Sequence, residues 1–216
     1  MSAELHTELD AAIRQVGREV RVAFELGSRD ARDSLALMRR HRCRTYAFEC
    51  NPDSRPWIEK TLHAATEAER ERLTIVEEAV HHSTGRCAFF PVRNHRNIGA
   101  SSLFRNVRPP GDSEHYPQGS AIEVACTRLD DFCRRQGLDG VDVIWSDLQG
   151  ADLAAIESLG TLLPTVSVVL MEVEYIRIYE GSVLFDETVA RMRQHGFTLY
   201  CNMPLVPDFG NAIFIR

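Results

Sequence analysis

Four short segments carry side chains whose types and spacing could do chemistry, and each follows an apolar run. The first is Glu25-Leu26-Gly27-Ser28-Arg29-Asp30-Ala31, continuing from Val22-Ala23-Phe24. Gly27 has no Cβ, so the backbone there can approach a ligand closely. The acidic Glu25 suits a cationic amino-acid group better than a phosphate. A pyrophosphate cradle needs G-x-G-x-x-G opening a helix, and only one glycine is present, which argues against a nicotinamide-dependent oxidoreductase. The second is Glu49, which ends the run TYAF 22 residues after Gly27. A carboxylate so placed can accept hydrogen bonds from ribose hydroxyls. It can equally be a solvated residue closing a strand.

The third segment is Asp147-Leu148-Gln149-Gly150-Ala151-Asp152, behind VDVIWS. A strand aiming Asp147 into a cleft lets it position a hydroxyl or take its proton, and Gly150 allows a tight exit. The competing use of Asp147 is to cap a helix that begins near Asp152. The fourth is the pair Glu172 and Glu174 in MEVEY. Two residues apart on a strand, they share a face. Burying unpaired charge is costly, so a role in or behind a site is favoured unless the strand end is exposed.

The elements that must position these groups follow from periodicity. Leu5, Leu9, Ile13 and Val16 recur at helical spacing, so residues 1–20 form an amphipathic helix rather than a signal peptide. Its apolar stripe can pack on its own domain or on a second copy, which leaves a homo-oligomer open. Strand-like runs VAFEL, TYAFE, LTIVEEAV, CAFFPV, AIEVACT, VDVIWS, VSVVLMEVEY, FTLYCNM and NAIFIR are predicted. Between them lie helical patterns, including one over 54–70 and one ending at Gly196. This alternation predicts an α/β fold with a mostly parallel sheet covered by helices on both faces, in one domain over 1–216. Residues 93–120 keep no period; a loop of that length is often functional. Arg93, Arg96, Arg105 and Arg108 within it could meet an anionic acceptor, or simply be solvated.

Composition narrows the classes further. A net charge of −6 gives no footprint for general nucleic-acid binding. The six cysteines make no C-x-x-C pair, so no metal is expected and free thiols in a reducing cytoplasm are. The longest apolar run, Val166 to Met171, is too short to cross a membrane, and a soluble protein is expected.

Taken together, the sequence resembles the FkbM-type family of S-adenosylmethionine-dependent methyltransferases. The likeness rests on FELGSRDARDSL, TYAFECNPD, NIGASSLF, TRLDDF, VDVIWSDLQGADLAAI, VVLMEVE followed by IYEG, and HGFTLY, in that order from about Val22 onward. The resemblance implies a Rossmann-like class I methyltransferase fold, with a seven-stranded sheet whose last strand is antiparallel. It implies cofactor contacts from Glu25, Gly27 and Ser28, ribose contact from Glu49, and adenine-side contacts from Glu78 and Ala79. Asp147 and Gln149 would contact the cofactor and face the methyl-transfer centre, with Asp147 also catalytic. The loop bearing Asn97, Gly99, Ala100, Ser101 and Ser102 would lie over that centre and, with Glu172, meet the acceptor. The implied activity is O-methylation of a hydroxyl on a small molecule or sugar, with S-adenosylmethionine as cofactor. A non-catalytic cofactor-binding or scaffold relative is the alternative. Two positions depart from the family pattern: Ala31 replaces a second glycine, and Asp152 replaces a glutamate. A methyl at Ala31 would crowd the cofactor if φ there is positive, whereas a helix start would accept it.

Overall fold

Strand alternation sets the layers. In β1 (Val22–Leu26) Ala23 and Glu25 face one side, while Phe24 and Leu26 face the other. The computed structural model describes residues 2–92, 97–107 and 117–216. Beside β1 lie β2 (Arg44–Phe48) and β3 (Leu73–Val76), all parallel. On the other flank come β7 (Val143–Ser146) and β8 (Val168–Glu174), also parallel to β1. β9 (Thr198–Pro204) and β10 (Phe209–Ile215) complete a sheet of order β3-β2-β1-β7-β8-β10-β9, with the last strand, β10, antiparallel to its neighbours. The seven-stranded sheet with an antiparallel last strand is the one expected. Its order reverses between β1 and β7, where Leu26 pairs with Ser146.

Helices cover both faces. On one, α1 (Ser2–Val16) buries Leu5, Leu9, Ala12 and Ile13 against Ala23, Trp145, Leu170 and Ile213. The apolar stripe of this helix is therefore spent on its own sheet. The helix α2 (Arg32–His41) shares that face, contributing Leu37. On the other face α5 (Leu129–Gln136), α6 (Asp152–Glu157) and α7 (Phe185–Gln194) bring Phe132, Ile156 and Met192 onto Phe24, Phe48 and Met171. No helix among the described residues is long and apolar enough to cross a membrane.

Three local expectations are corrected. Residues 54–70 are not one helix: α3 (Arg55–His63) stops, and α4 (Glu67–Arg70) restarts behind a capping box of Thr66 and Glu69. Each of that pair bonds the other's backbone, so a new helix start outcompetes continuation. LTIVEEAV also splits, because Glu77 and Glu78 turn aside to Arg55 and Arg135. Beyond them β4 (Ala79–Val80) leaves the main sheet, and AIEVACT does not join it either. With β5 (Gly85–Phe89) and β6 (Ile122–Thr127), β4 builds a three-stranded side sheet of order β4-β6-β5.

Within the long 93–120 segment, a 3-10 turn at Ile98–Ala100 precedes bridges that pair Ser102 with Phe90 and Asn106 with Tyr179. Arg93, Arg96 and Arg108 lie outside the described residues. Arg105 stacks its guanidinium over Phe90, 4.6 Å from the ring centre.

Candidate active site

A cleft of about 240 Å³ opens at the carboxyl ends of β1, β2, β7 and β8, where the strand order reverses. Glu25, Gly27, Ser28, Glu49, Glu78, Ala79, Asp147 and Glu172 all line it, as do Gly99, Ser101 and Ser102. Asn97, Ala100 and Gln149 do not; Gln149 stands behind the cleft floor.

The turn after β1 makes one wall. Gly27 adopts φ +81°, and a Cβ built on it would fall 2.1 Å from the carbonyl oxygen of Asp147. The glycine thus lets two strand ends close together, which is a stronger requirement than room for a ligand. The Gly27 and Ser28 amides both donate to the Phe48 carbonyl at 2.9 Å. The Ser28 hydroxyl is buried, lines the cleft and has no hydrogen-bond partner among the described residues. Glu25 is buried and accepts a hydrogen bond from the Ser34 hydroxyl. Burial, with the nearby Asp33 carboxylate, pushes its pKa well above the ordinary range.

At the end of β2, Glu49 takes the Arg29 amide on one oxygen and the Asn51 amide on the other, each at 2.7 Å. Burial raises its pKa to about 7, against the pull of those two donors. Glu78 lines the cleft and accepts from Arg135 at 2.5 Å.

The floor belongs to Asp147 and Glu172, with Gln149 behind them. The Gln149 amide nitrogen donates to Asp147 Oδ1 at 2.6 Å and to Glu172 Oε2 at 3.3 Å. Tyr179 donates to Gln149 Oε1 at 2.7 Å. Asp147 does not cap α6, whose N-cap is Ala151 with no side-chain bond. Its carboxylate opens onto the cleft, yet the surrounding protein still raises its pKa, while Gln149 and Arg29 favour the charged form. Glu172 is raised further, by burial and then by Asp147, Asp152 and Glu174. Its strand neighbour Glu174 is turned to structure instead, accepting from the Ile178 amide at 2.8 Å and the Ser182 hydroxyl at 2.6 Å.

The serines of the overlying segment are committed to holding it. Ser102 donates to the Gln149 carbonyl at 2.8 Å and accepts from the Phe104 amide at 2.9 Å. Ser101 donates to the Ile98 carbonyl at 2.6 Å and accepts from the Val92 amide at 2.9 Å.

The residues 15–199 match the family description "Methyltransferase FkbM domain". The chain belongs to the FkbM methyltransferase family. A relative, the 2-O-methyltransferase NoeI of Sinorhizobium fredii, is 25% identical over 167 residues, covering 75% of this chain and 67% of that protein. Two solved structures share the fold. The magnesium protoporphyrin IX methyltransferase of Synechocystis PCC 6803 with bound S-adenosylmethionine has a TM-score of 0.57 at 8% identity, covering 100% of this chain and 79% of its own. The glycopeptide N-methyltransferase MtfA complexed with S-adenosylmethionine has a TM-score of 0.51 at 12% identity, covering 97% and 92%.

S-adenosylmethionine is the cofactor of this FkbM methyltransferase, and the cleft fits it. An unpartnered Ser28 hydroxyl, a buried Glu25 short of a cation, and Glu49 held by two amides are donor and acceptor groups that such a molecule would satisfy. The two departures from the family pattern both prove internal. Ala31 does adopt positive φ, 57°, contrary to an ordinary helix start, but it is fully buried among Leu35, Met38, Ala47 and Leu73 and does not line the cleft. Asp152 accepts from the Ser146 hydroxyl at 2.6 Å and the Leu148 amide at 3.0 Å, which fixes the turn that carries Asp147.

Several cleft residues carried no signal in the sequence by themselves: Asp33, Asn51, Trp145, Phe209 and Asn211. Trp145 was within reach, since it lies in β7 two residues before Asp147, the spacing that returns to one side of an extended chain. Asn211 stands opposite Glu172 only through the antiparallel pairing of β10 with β8.

Proposed function

We propose that this FkbM methyltransferase methylates a hydroxyl of a small, neutral, polyhydroxylated acceptor, a sugar in the first instance, with Asp147 receiving the hydroxyl proton. The observation that carries this is the cleft floor, where Gln149 bridges Asp147 and Glu172. The lining also includes Phe209 and Asn211, an aromatic ring and a polar amide that suit a sugar ring. Two acidic groups on the floor disfavour an anionic acceptor, and Arg105 is engaged with Phe90. The 2-O-methyltransferase relative supports oxygen as the atom methylated.

Glu25, Gly27, Ser28, Glu49, Glu78 and Ala79 would hold S-adenosylmethionine, which when bound supplies a methyl group already activated on a sulfonium. The chain's own work is to align the acceptor oxygen and move one proton. Of the two carboxyls, Glu172 is raised well above the ordinary range, by burial first and then by Asp147, Asp152 and Glu174, and it is assigned the proton. Asp147 is raised too, by burial, but Gln149 and Arg29 favour its charged form, and it is assigned as the base. Gly99, Ser101 and Ser102 shape the cover over the acceptor rather than donate to it. Six free cysteines support a cytoplasmic location.

The test is calorimetric titration with S-adenosylhomocysteine, followed by transfer of labelled methyl to methyl glycosides of neutral hexoses, deoxyhexoses and, for contrast, uronic acids. Methylation of the neutral glycosides is expected. Asp147→Asn should keep S-adenosylhomocysteine affinity within a few-fold and slow turnover by about 10²–10⁴-fold. Equal loss of both would make Asp147 a structural residue.

A further inference from the structure

We propose that Tyr179 is a positioning residue for the transfer: its hydroxyl orients the Gln149 amide, which in turn holds the Asp147 and Glu172 carboxyls. The proposal rests on the reading of Asp147 as proton acceptor, and it concerns a residue outside the cleft.

The geometry leaves Gln149 little freedom. Its backbone is left-handed, at φ 52°, a conformation that costs a side-chain-bearing residue energy and persists only where neighbours impose it. Ser102 holds its carbonyl at 2.8 Å. The Tyr179 hydroxyl approaches its side-chain oxygen at 2.7 Å, and lies 3.1 Å from the Ala100 carbonyl. An amide has two distinct ends. With the phenol at the oxygen, the nitrogen lies toward the two carboxyls, within reach of Asp147 Oδ1 and Glu172 Oε2. Asp147 Oδ2 is thereby left for the acceptor.

Tyr179 is itself fixed by a chain of close contacts. A Cβ built on Gly150 would stand 3.1 Å from both the Tyr179 Cβ and Glu174 Oε1, so the turn of Gln149 packs directly on the turn of Tyr179. Glu174 anchors that second turn through Ile178 and Ser182. Residues 105–107 join it as well: the Glu180 amide donates to Arg105 at 2.9 Å, and the Val107 amide to Ile178 at 2.8 Å. One phenol thus sets the floor of the cleft and ties it to the segment above.

Tyr179→Phe keeps the buried ring and removes only the hydroxyl. In ¹⁵N-labelled protein, the Gln149 side-chain amide signals are identified by their loss in Gln149→Ala. Their hydrogen exchange should be about tenfold faster in Tyr179→Phe, the size of one lost neutral hydrogen bond. Unchanged exchange would overturn the proposal. On a glycoside that the wild type methylates, Tyr179→Phe should lower kcat about tenfold at unchanged KM for S-adenosylmethionine, and should cost nothing further in a Gln149→Ala background. An equal cost in both backgrounds would overturn it too. Failure of the wild type to bind S-adenosylhomocysteine would instead strike the methyl-transfer reading, while the exchange measurement still decides on Tyr179.

Discussion

The carbonyl oxygen of Asp147 stands where a side chain on Gly27 would be, 2.1 Å from the position of its Cβ. The turn after β1 and the turn after β7 are therefore in backbone contact. Gly27→Ala must open that contact and also place alanine at φ +81°. We expect a loss of about 2 kcal/mol or more and a Tm lower by roughly 5 °C or more. S-adenosylhomocysteine titration should show cofactor affinity falling along with it. A variant of wild-type stability and affinity would mean the two strand ends do not need this contact.

Glu49 is tested by two substitutions and by pH. Both its oxygens accept backbone amides, so Glu49→Gln sets a side-chain NH₂ against an N–H and should bind no better than Glu49→Ala. Each should weaken S-adenosylhomocysteine by at least about tenfold, the worth of a charge-assisted bond to ribose. Because the carboxyl titrates at about 7 in the cofactor-free protein, affinity should rise as pH increases from about 6 to 8. A flat profile, or full affinity in Glu49→Gln, would remove Glu49 from the ribose.

These groups were legible in the sequence to different degrees, for physical reasons. Glu25, Glu49 and Asp147 could be read because strand ends in a parallel sheet converge on one crevice, so position along the strand implies place. Glu172 and Glu174 share a face, but periodicity could not say that one floors the cleft while the other anchors residues 178–182. Gln149 was assigned to the cofactor, yet it lies behind Asp147. Its left-handed φ turns it away, and no residue type announces that. Ser101 and Ser102 are hydroxyls beside a site, but what they bond depends on how the chain folds back over Phe90 and Val92. The side sheet was hidden for a similar reason: Glu77 and Glu78 interrupt an apolar run, and only the arginines they meet show where the strand breaks.

Ala31 separates strain from crowding. At φ 57° an alanine carries about 1–2 kcal/mol of strain that glycine would relieve. Against this, Ala31→Gly would lose a buried methyl worth about 0.8 kcal/mol and loosen the unfolded chain by about 0.4–1 kcal/mol. The terms offset, so denaturant unfolding should place the variant within about 1 kcal/mol of wild type, by the same three estimates. Since the methyl points into the core, S-adenosylhomocysteine affinity should not change. A several-fold gain in affinity would show that the methyl does obstruct the cofactor.

Asp152 makes stability depend on pH in a direction opposite to that of most carboxylates. Burial lifts its folded pKa to about 7, far above the ordinary 3.8, although Ser146 and the Leu148 amide pull it down. Between those values the folded chain holds a proton that the unfolded chain has released, so this group's contribution to stability is lost as pH rises through that window. The salt-bridged Glu69, lowered to about 2 by Arg39, works the other way, but only below about pH 4.5. His41, lowered by burial, also opposes the trend near neutrality, so the comparison is with a variant rather than with the raw slope. Asp152→Asn keeps the acceptor oxygen for Ser146 and Leu148 while removing the titration. Its Tm relative to cofactor-free wild type should therefore climb between pH 5 and pH 8. A constant difference across that range would mean that Asp152 ionises normally and that its burial is overcome by the bonds it receives.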